Sequence, residues 1–284
     1  MKSEIEKRQD DLRSWAKFSE SWESVSSSCS ALAVVTKDAK TLEPLRKYKK
    51  LRRLYVAGIS PQDVEVIGSL RNLNTLFMWD VRTTDLMGIS TLRSLEALSI
   101  QHSAKLESLD GCEALKSLRF LRLYHVPRVT DLTPLTALTK LHELTIEMIR
   151  GTSKRLTLRS LKPLERLKHL RLLELRGVIP LDESLRPLCR LKRLKYVFPC
   201  SYTLPVEEYA RLAGCLRLPE AEWSHPTLDT PNLIRHCKKC RSELIMFVGA
   251  LGRRYKQFGC PNCDAVEIEE REEVFRIHAR KRRR

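Results

Sequence analysis

The segment TDLTPLTALTKLHELTI, residues 130–146, decides the fold of this chain. Its leucines lie three residues apart from Leu132 to Leu144, and the last apolar pair, Leu144 and Ile146, lies two residues apart. A three-residue spacing is typical of a helical or 3₁₀ turn, whereas a two-residue spacing is typical of a β-strand. The segment therefore predicts one helical turn followed by one short strand.

The same pattern recurs in seven copies along residues 42–197. Their strands begin 22, 22, 23, 23, 29 and 24 residues apart, at Leu54, Leu76, Leu98, Leu121, Leu144, Leu173 and Val197. Apolar repeats of about 20–29 residues indicate a solenoid, in which each copy buries its apolar face against the next. A bundle of amphipathic helices is the alternative. It is disfavoured because a proline recurs inside the would-be helices, as Pro44, Pro134, Pro163 and Pro187.

The repeats resemble the internalin-like class of short leucine-rich repeats, and the D-L-x-P-L motif at 131–135 carries the likeness best. The resemblance implies an α/β solenoid over residues 31–200. Its parallel β-sheet would form the concave face, and short 3₁₀ or helical segments the convex face. Five residues after the first strand leucine, this class usually has an asparagine that caps turn backbone groups. This chain has Ile59, Val81, Ser103, Val126, Ile149 and Val178 there, so most of those groups must find other partners.

A solenoid needs both ends closed, because its terminal copies expose apolar surface. Residues 1–30 predict an N-terminal helical cap, since apolar residues recur at helical spacing as Ile5, Leu12, Trp15 and Trp22, with Ser19 on the same face. At the other end, VEEYARLAGC after Pro205 predicts a cap helix. We therefore expect residues 201–231 to contain that helix and a short linker at 225–231.

Two C-x₂-C pairs near the C-terminus carry the clearest chemical signal. They are Cys237 with Cys240 and Cys260 with Cys263, and nineteen residues separate them. This spacing is typical of zinc sites, because two tight turns bring four thiolates to a tetrahedral metal ion. We expect a small β-rich ribbon over residues 232–275 that holds one structural Zn²⁺, with AVEIEEREEVF as its third strand. A disulfide pair and a catalytic or redox site are the alternatives.

The other five cysteines, Cys29, Cys112, Cys189, Cys200 and Cys215, are scattered singly along the chain. This distribution predicts reduced thiols and a cytoplasmic protein rather than a disulfide framework. The first fifteen residues lack the apolar stretch of a secretion signal, and no segment reaches the roughly 18 apolar residues of a membrane span. We expect no association with a membrane.

The strand alternation also predicts which side chains line the concave surface, because alternate residues point to opposite sides of a sheet. Seven of these residues are aromatic or Arg, the types enriched in protein interfaces. They are Tyr55, Phe77, Trp79, Phe120, Arg122, Tyr124 and Arg176. We predict that they bind a protein partner with an acidic surface. The alternative is that some of them lie beneath a neighbouring cap.

Charge supports a second hypothesis. The chain has 52 Lys and Arg against 35 Asp and Glu, a net charge of +17. Residues 150–195 hold fourteen basic residues against four acidic ones, and residues 276–284 form a basic tail. Such a stripe, together with a zinc ribbon, is typical of proteins that bind nucleic acid or ribosomes. An acidic protein surface would explain the same charge.

No motif in the chain indicates an enzyme. The sequence has no Gly-rich phosphate loop, no H-E-x-x-H motif and no nucleophile elbow, and its seven histidines are scattered. Four cysteine ligands would also leave no open position on a zinc ion. We therefore expect a non-enzymatic binding protein without a small-molecule substrate.

Overall fold

The computed structural model describes residues 3–10, 15–17, 22–39, 41–149, 155–216, 218, 221–228, 235–252 and 256–280. Across these residues the chain winds into a solenoid whose concave side is one parallel sheet of nine strands. In sheet order the strands are β1 Ala16–Lys17, β2 Ala31–Val35, β3 Arg53–Ile59, β4 Thr75–Val81, β5 Ala97–Gln101, β6 Phe120–Tyr124, β7 Glu143–Glu147, β9 Leu172–Arg176 and β11 Tyr196–Phe198. Strands β8 Leu156–Leu158 and β10 Val178–Pro180 pair separately behind the sheet edge. The predicted leucine-rich-repeat solenoid is confirmed.

The register of the sheet follows the leucine pattern. Leu54 pairs with Leu76, Leu76 with Leu98, and the alignment continues through Leu121 to Leu173. These leucines are fully or almost fully buried, so each copy stacks its apolar residues on those of the next copy. Strand β2, ALAVV, precedes the first copy and is mostly buried in the same way, except for Val35. Its Leu32 pairs with Leu54.

Proline shapes the convex side. Four of its 3₁₀ turns carry a proline at their start, where the missing N–H group would have had no partner. These turns are Glu43–Lys47, Thr133–Ala137, Lys162–Arg166 and Arg186–Arg190. Shorter turns at Met87–Ile89 and Cys112–Ala114 and the helix α3, Pro61–Gly68, fill the equivalent places in the other copies. Short α2, Thr36–Ala39, follows β2.

The turns after the strands have no asparagine, and their backbone groups form hydrogen bonds with the neighbouring copies instead. His102 and His125 adopt left-handed backbone angles, with φ of 53° and 54°, just after their strands. Their N–H groups donate to the carbonyl oxygens of Tyr124 and Glu147 in the following copies, at 2.9 and 2.7 Å. Ser103, the one polar residue at the asparagine position, accepts a hydrogen bond from the N–H group of Val81 at 3.1 Å. The turn backbone is therefore satisfied without the asparagine ladder.

Among the described N-terminal residues, the helix does not cover the end of the solenoid as predicted, whereas a short strand does. Helix α1 covers only Glu4–Asp10 and lies across the concave face, where it contacts β5 and β6. Trp15 lies in a bend, and β1 pairs in parallel with β2 to lengthen the sheet. Leu12 and Ser19 lie outside the described residues. Helix α1 lies on the concave face because Ile5 and Trp15 bury apolar residues there. The edge of β2 is covered separately, by its hydrogen bonds with β1.

The C-terminal region is one continuous cap. Helix α4, Val206–Leu216, packs on the last copy. Strands β12 Thr227–Leu228, β13 Ile245–Phe247 and β14 Phe258–Gly259 form the antiparallel sheet of the ribbon. The N–H group of Val206 donates to the carbonyl of Ala250, and the N–H group of Ala250 donates to that of Leu204, both at 2.8 Å. The ribbon therefore closes the solenoid together with α4, and β12 occupies part of the predicted linker.

The predicted third strand of the ribbon is wrong. Residues 265–280 form a helix, α5 Ala265–Arg280, which packs along α4. The Glu-rich sequence favours a helix, and Glu267 pairs with Arg271 one turn later at 3.1 Å. Because α5 continues past residue 276, the predicted boundary of the basic tail falls inside this helix. Residues 281–284 lie outside the described residues.

Two cysteines expected to be reduced are bonded to each other. Cys189 of the last convex turn and Cys215 of α4 form a disulfide, with their Cα atoms 5.3 Å apart. The predicted reduced state is therefore wrong for this pair. The predicted cytoplasmic location depended in part on reduced thiols, and it stays a prediction.

Candidate functional site

The concave face consists of three rows of side chains, because parallel strands in register align equivalent residues. The first row contains Thr75, Phe120 and Glu143; the second contains Tyr55, Phe77, Ser99 and Arg122; the third contains Trp79, Gln101, Tyr124, Glu147 and Arg176. The seven residues predicted to bind a partner fall in all three rows. Only three of them, Trp79, Tyr124 and Arg176, share the third row.

The N-terminal segment, which we define as residues 3–10 with Trp15, lies on the first two rows. The N–H group of Glu4 donates to Glu143 Oε2 at 2.8 Å, and Arg8 Nη1 donates to Thr75 Oγ1 at 3.1 Å. The Arg8 guanidinium also lies 5.0 Å from the centre of the Phe120 ring. These polar and cation–π contacts hold the helix across the strands.

Phe77 is not available to a partner. Its side chain is 1% exposed, because it lies beneath Trp15 with ring centres 5.9 Å apart and in one apolar cluster with Ile5. Tyr55 and Phe120 pack partly against the same cluster, and burial raises the pKa of Tyr55. The prediction that Phe77 binds a partner is therefore wrong, since the chain itself covers this residue.

An aromatic rim remains at the third row, where the strands end. We define it as Trp79, His102, Tyr124 and His125. The His102 ring centre lies 4.2 Å from that of Trp79, 5.0 Å from that of Tyr124 and 5.5 Å from that of His125. Trp79 is 36% exposed, whereas a tryptophan is usually more buried.

The two rim histidines differ in their surroundings. The pKa of His102 is lowered by burial and, to a lesser extent, by the neighbouring His125, and both effects favour the neutral ring. The buried Nδ1 atom of His125 has no hydrogen-bond partner among the residues that the structure describes. The contacts of the His102 ring with Trp79 and Tyr124 depend on the left-handed turn at His102, which no local sequence pattern signals.

The two predicted arginines are held by a carboxylate that the sequence analysis missed. Glu147 Oε2 lies 3.1 Å from Arg122 Nη2, and Glu147 Oε1 lies 3.6 Å from Arg176 Nε. Arg122 also pairs with Glu6 of α1 at 3.9 Å. Because Glu147 is only 6% exposed, this network neutralises the arginine charge inside the face. The signal available in the sequence was the register, which places Glu147 between Tyr124 and Arg176.

A cleft of about 460 Å³ lies at the C-terminal end of the concave face. It is lined by Arg176, Tyr196 and Phe198 from the sheet and by Glu222 and Trp223 from the cap. The guanidinium of Arg176 lies 3.8 Å from the centre of the Phe198 ring. Sequence reasoning missed the cleft because its walls come from segments that are distant along the chain.

The four cysteines of the C-x₂-C pairs meet in one cluster, with all their sulfur atoms within 4.8 Å of one another. The distance from Cys237 Sγ to Cys263 Sγ is 3.8 Å, and Cys240 Sγ lies 3.3 and 3.6 Å from the sulfurs of Cys260 and Cys263. Tetrahedral coordination at a Zn–S distance of about 2.3 Å needs sulfurs about 3.8 Å apart. The cluster could therefore hold a metal ion.

The two cysteine turns have the same backbone design. The N–H group of Arg241 donates to the carbonyl of Cys237, and that of Asp264 donates to the carbonyl of Cys260, at 3.0 and 2.9 Å. Arg241 takes the left-handed angle, φ 66°, that glycine usually supplies after such a pair. A hydrogen bond with the Ser242 hydroxyl lowers the pKa of Cys240 to about 6. Thiolate is the form that binds metal.

The basic residues predicted at 150–195 do not form one stripe. Residues 150–154 lie outside the described residues. Among the others, Lys162, Arg166, Arg186 and Arg190 lie on the convex turns. A second group lies where the strands begin, and it contains Lys168, Arg171, Lys192, Arg193 and Lys195.

Comparisons with known proteins agree with the fold. Neither a family model nor a curated protein sequence matches the chain. A leucine-rich-repeat protein of Leptospira interrogans is 23% identical with a TM-score of 0.52, over 67% of this chain and 47% of its own. Internalin C2 of Listeria monocytogenes is 22% identical with a TM-score of 0.49, over 67% of this chain and 83% of its own. This chain thus spans about half of the Leptospira protein, and the likeness shows a leucine-rich-repeat fold.

None of the described helices is both long enough and apolar enough to cross a bilayer.

Proposed function

We propose that this chain is a non-enzymatic recognition protein that binds a protein partner through the aromatic rim. The observation that carries this proposal is the position of Trp79. Its ring is partly exposed, yet it is held against His102 at the end of a rigid sheet. Trp and Tyr on a preformed surface are typical hot-spot residues, because they bury large area and lose little conformational entropy on binding.

Three further features support the rim as the interface. The described contacts of the N-terminal segment lie on the first two rows, and Trp79 and Tyr124 of the third row keep part of their surface exposed. The ring of His125 is partly exposed beside His102 and extends the aromatic surface of the rim. The internalin-like spacing of the repeats agrees with a recognition function. The acidic character proposed for the partner rests on the net charge of +17, since Glu147 already neutralises Arg122 and Arg176.

The test compares two double variants by affinity purification from the native source and quantitative mass spectrometry. The rim variant is Trp79→Ala with Tyr124→Ala. The matched control is Met87→Ala with Leu181→Ala, which removes two apolar side chains, 56% and 68% exposed, outside the rim. We expect a stoichiometric protein partner with wild type and with the control, and at least about a tenfold loss with the rim variant. Equal recovery with both folded variants would contradict the proposal.

We also propose that the cysteine cluster holds one structural Zn²⁺ through Cys237, Cys240, Cys260 and Cys263. The distances between the sulfurs fit tetrahedral coordination, and a zinc ion with four thiolates would supply stability rather than chemistry. Elemental analysis of the purified chain is expected to give one zinc per molecule. A Cys240→Ser, Cys263→Ser variant is expected to contain none, and zinc retained by that variant would contradict the ligand set.

A further inference from the structure

A second surface lies at the opposite edge of the sheet, where the strands begin. Each of the seven copies places three residues there, two before and one after the leucine that precedes the strand. In the first copy these are Lys49, Lys50 and Arg52. Together the 21 positions hold 13 Lys and Arg and one acidic residue, Glu96, so their net charge is 13 − 1 = +12. We define the 13 cations as the basic edge: Lys49, Lys50, Arg52, Arg71, Arg93, Lys116, Arg119, Lys140, Lys168, Arg171, Lys192, Arg193 and Lys195.

Backbone hydrogen bonds align these residues in columns. In the column after the leucine, each N–H group donates to the carbonyl of the equivalent residue in the preceding copy. The bonds run from Asn74 to Arg52, Glu96 to Asn74, Arg119 to Glu96, His142 to Arg119, Arg171 to His142 and Lys195 to Arg171, at 2.7–2.9 Å. In five copies the first of the two residues before the leucine repeats one turn geometry, in which its N–H group donates to the carbonyl two residues earlier; these residues are Lys49, Arg71, Arg93, Lys116 and Lys168. The edge is therefore a regular, rigid row.

The cations of the basic edge have no acidic partner among the described residues. In the loops that follow the strands, two cations are paired with carboxylates: Arg82 with Asp80 at 3.0 Å and Arg128 with Glu107 at 2.7 Å. Glu96, the one acidic residue of the edge, pairs with Arg8 of the N-terminal segment at 3.7 Å. The edge where the strands begin thus keeps an excess of positive charge.

The side chains of the edge are ordered without losing their charge. Arg93 Nη1 donates to the carbonyl of Ala114 at 2.9 Å, Lys192 Nζ to that of Cys215 at 3.2 Å, and Lys168 Nζ to that of Arg190 at 3.4 Å. A carbonyl oxygen satisfies one donor and leaves the positive charge uncompensated. The positive charge of the edge also affects His142. Its pKa is lowered first by burial and then by the charges of Arg119 and Arg171.

We propose that the basic edge binds the phosphodiester backbone of a nucleic acid, without regard to sequence. Six strand-to-strand steps of about 4.8 Å give a row of about 29 Å, the length of roughly eight base pairs at 3.4 Å each. A row with twelve net positive charges and no Trp, Tyr or Phe among its 21 positions suits a polymer of phosphates better than a protein, whose interface needs an apolar core. This surface is separate from the rim of the proposed function.

The test measures the anisotropy of a labelled duplex DNA of about 20 base pairs, and of a single-stranded RNA of about 20 nucleotides, over a range of salt concentrations. The edge variant carries Lys116→Gln, Lys140→Gln, Arg171→Gln and Lys195→Gln. The matched control carries Lys37→Gln, Lys105→Gln, Lys162→Gln and Arg186→Gln, four exposed cations outside the edge. Both variants lose the same charge. A third variant replaces Lys281, Arg282, Arg283 and Arg284 with Gln, and thermal unfolding checks that every variant is folded.

We expect wild type to bind either nucleic acid, with an affinity that falls steeply as salt rises. The edge variant is expected to bind at least about tenfold more weakly at about 100 mM NaCl, with a salt slope reduced by up to about 3.6, because each lost phosphate contact contributes about 0.9. The control is expected to stay within about threefold of wild type. Three results would each overturn the proposal: no binding by wild type, equal losses in the edge and control variants, or a complete loss in the third variant alone. Polyglutamate that competes as well as nucleic acid would assign the edge to an acidic protein and would also overturn it.

Discussion

Glu147 lies at the end of β7 between two arginines from neighbouring strands, Arg122 and Arg176. Its carboxylate is almost completely buried, and both guanidinium groups are largely shielded from water. A buried charge of this kind is tolerated only while its partners remain, because an isolated charge cannot recover the hydration that it lost. The same residue keeps the third row neutral beside the aromatic rim.

Replacing this carboxylate tests the network. Glu147→Gln is expected to lower the free energy of unfolding by about 3 kcal/mol, because it leaves two shielded arginines without their shared partner. Urea denaturation at pH 7 measures the change. The control is Glu174→Gln, whose carboxylate lies 3.4 Å from Arg176 at a more exposed position and which is expected to cost less than about 1 kcal/mol. Similar losses in both variants would show that Glu147 has no special role.

At the scale of elements, the sequence predicted what depends on local pattern. The strands and convex turns follow from leucine spacing and from prolines at turn starts, and both are readable within one copy. Helix α5 was predicted as a strand because Val266 and Ile268 alternate with acidic residues. The alternation does not indicate a strand here, because Val266 is exposed and Glu267 forms an ion pair with Arg271 one helical turn later.

In the candidate site, too, some features follow from the local pattern and others depend on contacts between distant segments. Trp79 and Tyr124 follow from alternation, and so does Phe77, which lies on the same face one row away. The burial of Phe77 depends on Trp15, which is more than sixty residues earlier and carries no local signal of its position. Contacts between segments so far apart depend on the assembled sheet, and a single sequence does not reveal them.

The bond between the last copy and α4 gives an element-scale prediction. The Cys189–Cys215 disulfide spans 26 residues, and closing a loop of that size stabilises a fold by about 3.5 kcal/mol in the chain-entropy treatment. Cys215→Ser is expected to lower the thermal stability, and a reductant is expected to lower that of wild type to the same value. A variant that stays sensitive to reductant would show that another bond is responsible.

The same cysteines test the location of the protein. Alkylation of the chain in its native source, followed by mass spectrometry, reports whether Cys189 and Cys215 are bonded there. A bonded pair is expected from the structure and indicates an oxidising compartment. Two free thiols would instead agree with the cytoplasmic location predicted from the sequence.

At the scale of the whole molecule, the cysteine ribbon and the solenoid stabilise each other. Val248 and Phe275 belong to the same apolar core as the repeats, and Trp223 Nε1 donates to the carbonyl of Val197 in the last strand at 2.7 Å. A Cβ atom at Gly249 would lie only 2.7 Å from the Cα atom of Val206, so no other residue fits there. The φ of 79° at Gly249 also requires glycine. The ribbon therefore does for the last copy what a terminal capping repeat does in other solenoids.

Metal removal is expected to loosen the solenoid from its C-terminal end. A zinc chelator should increase hydrogen exchange in α4 and β11, while β4 and β5 stay protected, because each copy contacts only its neighbours. Hydrogen exchange with mass spectrometry measures this gradient, and added zinc should reverse it. Uniform exchange along the chain, or no change in α4, would contradict the coupling between the ribbon and the repeats.

The N-terminal segment has a consequence for how this protein can evolve. It contacts Glu143 of β7 through Glu4, Thr75 of β4 through Arg8, and Phe77 of β4 through Trp15. Duplication or loss of one whole copy between β4 and β7 would move these attachment points by about 4.8 Å relative to each other. The contacts of the segment therefore fit only one number of copies between β4 and β7. Copies added or lost outside these two strands would leave its contacts in place.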